Sequence, residues 1–353
     1  MTDTVRTAVG EDAGVDEPVL LPPLADVLAG AVVVALPLRV RFRGIDVREA
    51  LLLRGPVGWG EFAPFPEYDD AESAPWLAAG LEAAWTGWPA LLRERVLVNA
   101  TVPAVPPEQV AGVLAAFPGC TTAKVKVAQR GQHLDDDLAR VDRVRELLGP
   151  GGAVRVDANG GWDLDAAERA LTALAARGPL AYAEQPCASV PELAALRARL
   201  AAAGVAVPVA ADESIRRAAD PLRVAEAGAA DVAVLKVAPL GGVRAVLALA
   251  QVLRERHGLP VVISSALDTA VGIAAGLAAA AALPQEPPAC GLGTGGLLAA
   301  DVAAPLPLVG GALAPGAVEP DADRLARAAA AVPDERRRWW LDRLTRCHAL
   351  LAA

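Results

Sequence analysis

The sequence predicts an α/β fold built on a closed β/α barrel, with a separate α+β domain beside it. Three observations carry this expectation. From residue 96 onward, short β-branched runs alternate with longer Ala/Leu/Arg/Glu segments at helical spacing, the rhythm of repeated β/α units. Eight such runs and seven intervening helices fit within about 200 residues, which suits a closed barrel. An open doubly wound sheet is the weaker alternative, because no GxGxxG turn follows an early strand.

Taken in order, the predicted strands are 96–102, 122–128, 153–159, 181–186, 207–214, 231–239, 260–266 and 289–294. The helices between them fall near 107–117, 134–148, 163–177, 190–203, 218–227, 242–257 and 268–282. Pro107 and Asp163 stand where helix starts are expected. Before residue 96 come the strand-like pieces AVVVALPLRVRF, EALLLRG and GWGEFAP and a helical stretch near 75–86, the makings of an α+β domain. After residue 298 a turn-rich segment leads to a closing helix over 334–352. That helix is expected to pack back on the N-terminal domain, anchored by Trp339 and Trp340, since large aromatics bury the most area. Residues 1–20 are expected to form a mobile tail.

Composition narrows the function classes. A 54% hydrophobic, 21% charged chain is a globular one. A net charge of -9 argues against a nucleic-acid or anionic-membrane surface, while leaving room for a small carboxylate in a local basic pocket. Cys120, Cys187, Cys290 and Cys347 show no CxxC pairing and suit free thiols in a reducing compartment. The N-terminus is polar and acidic, and the apolar run 270–283 is too short to span a bilayer. A cytoplasmic protein is expected; the pattern sets no oligomeric state.

The stretch TTAKVKVA (121–128) aims Lys124 and Lys126 to one face of a strand. Further charged or amide residues arrive late in successive strands: Asp157 with Asn159, Glu184, Asp212 with Glu213, then Lys236. From Lys126 the steps are 31, 27, 28 and 24 residues, each about one β/α unit. On a barrel these residues gather at the C-terminal mouth. Taken singly, each has a plainer reading: KxK a solvated face, DxN a turn, EQP a strand terminus, DE a helix cap. Together they form a constellation. Three converging carboxylates repel one another unless a cation joins them, and oxygen donors without His or Cys favour Mg2+ or Mn2+ over zinc. A metal flanked by two lysines suits proton removal next to a carboxylate, because the metal can stabilise the enediolate. The Lys124 charge would then lower the pKa of Lys126, the proposed base. The three histidines, in predicted helices or the tail, are not expected to be catalytic.

As a set, KVK, VDAN, EQP, ADES and LKVAPLGGV resemble the enolase superfamily, in particular its muconate-lactonizing-type branch, over residues 30–315. The resemblance implies a modified (β/α)7β barrel over 96–298, and a capping α+β domain made from 21–95 and 299–353. It implies Mg2+ (Mn2+ as a substitute) bound by Asp157, Glu184 and Asp212, with Lys126 and Lys236 facing each other across a small carboxylate substrate. A lysine stands where the mandelate-racemase-type branch has the His of a His–Asp dyad, so that branch is disfavoured. The stretches 42–68, 98–105, 264–284 and 289–298 most resemble a dehydratase of the muconate-lactonizing branch. That likeness implies syn dehydration of 2-succinyl-6-hydroxy-2,4-cyclohexadiene-1-carboxylate in menaquinone synthesis. Lys126 would take the α-proton and return it to the departing hydroxyl; Lys236 would stay protonated and stabilise the enediolate. Asn159 and Glu213 are expected to fix lysines or metal ligands. Ser264, with Gly291 and Gly293, would touch the substrate's carboxylate or succinyl group, and Arg43 would belong to a loop that closes the site. N-Succinylamino acid racemase is the nearest alternative, with muconate cycloisomerase behind it. Dipeptide epimerase is disfavoured because GLGTG replaces a DxD near the eighth strand. A non-catalytic barrel binding a metal and an acidic metabolite would need neither lysine as a base.

Overall fold

A computed structural model describes residues 21–42, 44–217 and 220–353. Residues 1–20, the expected tail, and Arg43, the expected loop residue, lie outside the described residues.

The chain begins with α1 (Leu24–Ala29) and a three-stranded antiparallel sheet, β1 (Ala31–Phe42), β2 (Ile45–Arg54) and β3 (Trp59–Phe62). The run Leu51-Leu52-Leu53 is buried throughout because both faces of this sheet are covered. Leu51 and Leu53 join one apolar cluster with Trp76 and Trp340, whereas Leu52 joins another with Val271 and Leu298. Helix α2 (Asp70–Leu81) starts five residues before the expected 75, because the Asp69 side chain accepts the Glu72 N–H at 2.7 Å and caps it.

The barrel follows. Its parts are β4 (Val96–Leu97), β5 (Ala100–Val102), α3 (Val110–Leu114), β6 (Thr122–Lys126), α4 (Leu134–Leu148), β7 (Ala153–Asp157), α5 (Leu164–Ala176) and β8 (Tyr182–Glu184). Then come α6 (Val190–Ala202), β9 (Val209–Ala211), α7 (Glu213–Arg216), α8 (Arg223–Glu226), β10 (Val232–Lys236), α9 (Val243–His257), β11 (Val261–Ser264) and α10 (Ala270–Ala282). Seven strands form one curled parallel sheet in the order β11-β10-β9-β8-β7-β6-β5. The ring closes through two residues: Gly291 bridges Ser264, and Cys290 bridges Val98, both in parallel sense. The expected eighth strand, 289–294, is therefore cut to a pair. Glycine is a poor strand former, and a Cβ on Gly291 would come within 2.3 Å of Ser264 Oγ.

Two more expectations are corrected. The first strand, 96–102, is split, since β4 pairs with β12 (Ala312–Leu313) below while β5 pairs with β6 above. The predicted helix 218–227 is reduced to the one-turn α8, with residues 218 and 219 outside the described set, and the one-turn α7 takes the end of the predicted strand 207–214, which shortens to β9. Helix α10 is buried nearly all round, pressed between barrel and cap sheet, which explains its Ala/Gly composition. Among the described residues no helix is long and apolar enough to cross a membrane.

The chain ends in α11 (Ala322–Ala330) and α12 (Asp334–Ala352), and α12 lies on the N-terminal sheet and α2. Trp340 is fully buried, edge-on to Phe62 at 5.9 Å, and its Nε1 donates to Glu49 at 2.9 Å. Trp339 is only half-buried, stacked with the Arg336 and Arg343 guanidinium groups. Trp340→Ala should therefore cost about 3–5 kcal/mol of unfolding free energy in a urea titration, and Trp339→Ala less than half as much.

Candidate active site

The strand ends meet as their register dictates. Lys126 on β6 lies beside Asp157 on β7, which lies beside Glu184 on β8. Asp212 follows β9 directly, and Lys236 ends β10 beside Ser264 on β11. In an eight-membered ring, β6 and β10 stand four places apart. Lys126 and Lys236 thus rise from opposite walls of one mouth. Both line a cavity of about 40 Å3 together with Lys124, Asp157, Asn159, Ser264 and Gly291. Lys126 and Asn159 also line a cavity of about 590 Å3 that reaches under Arg41, Gly44 and Phe65 of the cap.

Each charged group has a partner. Lys124 Nζ lies 2.7 Å from Glu184 and 3.2 Å from Asp157. Lys126 donates to Asn159 Oδ1 at 2.6 Å, and Lys236 to Asp212 Oδ2 at 2.6 Å. Asn159 Nδ2 reaches Glu213 at 3.4 Å. The Lys124 charge that was expected to act on Lys126 is here offset by two carboxylates.

The electrostatics follow from burial and crowding. Burial, then Asp157 and Asp212 against the pull of Lys124, pushes the Glu184 carboxyl up to about 7. Burial also works against charge on Asp157 and Asp212, but the lysines, with Arg216 beside Asp212, outweigh it and hold both below the ordinary carboxylate range. For Lys124, burial opposes the charge, but Glu184 and Asp157 prevail and raise its pKa well above that of a free lysine.

Among the described residues no three His, Cys, Asp or Glu side chains are gathered into a metal cage. Asp157, Glu184 and Asp212 share one mouth, each held by a lysine rather than drawn onto a common point. The donor set still fits a hard divalent cation: oxygen only, and crowded enough that Glu184 resists ionising.

Four non-glycine residues among those described have left-handed φ, at Ala128 (57°), Asn159 (46°), Gln185 (39°) and Leu267 (65°). Each lies one to three residues beyond the end of a barrel strand, so the strain sits at the mouth. Gln185 helps to hold this rim, its side-chain oxygen accepting the Asp212 and Ser214 N–H groups.

Of the residues expected to touch substrate, Ser264 and Gly291 line the mouth. Gly293 does not; it faces a separate cavity of about 410 Å3 beside Phe117 and Leu306. Several groups at the site were not anticipated. The Thr101 hydroxyl lines the mouth, buried and without a hydrogen-bond partner among the described residues. Arg216 is buried against Asp212, Glu213 and the cap residue Tyr68. Arg48 of the cap donates to the Leu267 carbonyl at 3.1 Å and so holds the strained rim from above. One sequence signal would have sharpened the reading: the chain has three lysines, at 124, 126 and 236, and arginine supplies the permanent positive charge everywhere else.

A barrel with carboxylates and lysines on successive strand ends, under an α+β cap, defines a class. The chain belongs to the enolase superfamily, matching the family models described as Enolase N-terminal domain-like over residues 33–84 and Enolase C-terminal domain-like over 108–318. Its fold is that of the muconate lactonizing enzyme from Pseudomonas fluorescens solved with muconolactone (TM-score 0.71, 23% identity, 84% of this chain and 97% of that one). Within the superfamily its place is among the o-succinylbenzoate synthases. It is 59% identical to that of Mycolicibacterium smegmatis over 94% of this chain and 99% of the relative. It is 60% identical to that of Mycobacterium ulcerans over 95% and 97%.

The cap also places a buried acid pair behind the rim. Glu61 of β3 accepts the Thr269 N–H at 3.0 Å and the Gly272 N–H at 3.2 Å, capping α10 next to Asp268. Burial, then the Asp268 charge, pushes Glu61 up to about 8, against the opposing Arg48 guanidinium. Between the ordinary carboxylate pKa and pH 8 the folded chain keeps a proton on Glu61 that the unfolded chain releases. Stability should accordingly fall as pH rises through that window, by something on the order of 4 kcal/mol, and level off above it. Glu61→Gln keeps an acceptor for the helix and cannot ionise. Urea midpoints measured from pH 5 to 9 should decline less in this variant than in the parent.

Proposed function

We propose that the chain catalyses the Mg2+-dependent syn dehydration of 2-succinyl-6-hydroxy-2,4-cyclohexadiene-1-carboxylate to 2-succinylbenzoate, a step of menaquinone synthesis in the cytoplasm. The observation that carries this reading is the pair Lys126 and Lys236 on opposite walls of one mouth, in a chain 57–60% identical to o-succinylbenzoate synthases. Residues 21–95 with 299–353 act as the cap and 96–298 as the catalytic barrel.

Asp157, Glu184 and Asp212 are the residues that would hold the cation. When bound, it supplies positive charge to the substrate carboxylate as negative charge develops there. Lys126, as the free amine, takes the proton α to that carboxylate. The resulting ammonium then protonates the departing hydroxyl, so water leaves and the amine is regenerated. Proton abstraction and return by one residue on one wall give syn geometry. Lys236, protonated throughout, faces the developing negative charge from the other wall. Asn159, bonded to Lys126, aims the amine, and Glu213 holds Asn159 in turn. Lys124 has no part in proton transfer; its charge keeps Asp157 ionised. Ser264 and Gly291, with Thr101, form the wall against which the substrate lies.

The same lysine pair also supports proton exchange on an N-succinylamino acid, with each lysine serving one face of the carbon. Turnover of the cyclohexadiene acid, followed beside α-proton exchange of an N-succinylamino acid in D2O, separates the two readings. No reaction with either would remove the proposal. Lys126→Ala should lower dehydration by about a thousandfold while Mg2+ still binds; activity within tenfold of the parent would exclude Lys126 as the base. Excess EDTA should stop turnover, and added Mg2+ or Mn2+ should restore it.

A further inference from the structure

Arg216 ends α7, one turn beyond Asp212, and its side chain is almost wholly buried. Each of the three guanidinium nitrogens donates a hydrogen bond. Nε donates to Asp212 Oδ1 at 3.0 Å, one terminal nitrogen to Glu213 Oε1 at 2.7 Å, and the other to the Tyr68 hydroxyl at 2.7 Å. Asp212 has a second oxygen, Oδ2, and it accepts from Lys236 at 2.6 Å. One carboxylate thus stands between an arginine and a lysine, one oxygen to each.

Tyr68 belongs to the cap. Its ring packs edge-on against Phe65 and Trp76, inside the apolar cluster that also holds Trp340. A continuous line of contacts runs from the cap core through Tyr68 and Arg216 to Asp212, and from there to Lys236. A planar guanidinium fixes the direction of a carboxylate in a way that an ammonium point charge does not. With Oδ1 fixed, the direction of Oδ2 is fixed, and with it the place of the Lys236 ammonium.

We propose that Arg216 is a positioning residue: seated by the cap hydroxyl of Tyr68, it turns Asp212 so that Lys236 points into the mouth. Docking of the cap is thereby coupled to the placement of one of the two working lysines. A plainer role for Arg216 would be to neutralise a buried Asp212. The two roles separate at Tyr68, because Tyr68→Phe removes one oxygen and no charge.

The proposal rests on Lys236 being one of the lysines that serve the reaction, so its test includes a readout that needs no turnover. With three lysines in the chain, protein labelled with 13C at the lysine ε-carbons gives three side-chain signals, and Lys236→Met assigns the relevant one. Tyr68→Phe should move the Lys236 signal further than the Lys124 signal, and lower kcat about tenfold with KM within about twofold. Arg216→Lys keeps the charge, loses the fork, and should lose kcat similarly. Glu72→Gln is the control: it breaks the neighbouring contact between Glu72 of the cap and Arg217, 2.6 Å apart, and should change neither kcat nor the Lys236 signal. The proposal is overturned if the Lys236 signal in Tyr68→Phe moves no further than that of Lys124. It is equally overturned if Tyr68→Phe matches Glu72→Gln in kcat, or if Arg216→Lys is as active as the parent. Failure of the chain to dehydrate the cyclohexadiene acid would count against the function alone, since the signal reports the geometry by itself.

Discussion

Buried charge at the barrel mouth is the constraint on which the rest of the structure depends. Glu184 and Asp212 are essentially inaccessible, and an uncompensated carboxylate in such a place costs several kcal/mol. The chain meets this cost by interleaving cations with the acids. Lys124 serves Glu184 and Asp157, while Lys236 and Arg216 share Asp212. Among the described residues Lys124 is the one cation paired with Glu184, whereas Asp212 keeps one cation if the other is removed. The left-handed residues after four strand ends turn the backbone so that these side chains can meet, and their strain is tolerated because the ion pairs and the cap hold both sides.

The cap is more than a cover. Its sheet is buried on both faces, one against its own helices and the other against α10 of the barrel. From that fixed position it sends three polar side chains into the barrel rim: Arg48 to the Leu267 carbonyl, Glu61 to the start of α10, and Tyr68 to Arg216. Each ends within a residue or two of the mouth. The shape of the substrate wall is therefore set jointly by two parts of the chain that are far apart in sequence.

Much of this was legible beforehand for a simple reason. Barrel strands recur once per unit, so Lys126, Asp157, Glu184, Asp212 and Lys236 announce themselves by spacing alone. The long helices α4, α5, α6, α9 and α12 were equally plain, each carrying many residues of one consistent pattern. What stayed hidden depends on tertiary contact. Nothing local marks Arg216 as different from the arginine that follows it, yet one is buried on Asp212 and the other lies exposed against Glu72. Arg48, Glu61 and Tyr68 acquire meaning only when cap meets barrel. Gly291 and Gly293 look alike in GLGTG, but only the first faces the mouth, because the two-residue bridge ends between them.

The bond between Trp340 and Glu49 spans 291 residues of sequence. During synthesis the first sheet emerges well before α12, and the leucines that face α12 wait until that helix is made for their final partner. The barrel can close on local units in the meantime, since each strand pairs with one made shortly before it. The lid cannot. A chain that lacked α12 would have the strand-end residues all present, but with an apolar sheet uncovered. Completion of the catalytic centre is thus tied to the making of α12, a dependence that the order of the chain imposes.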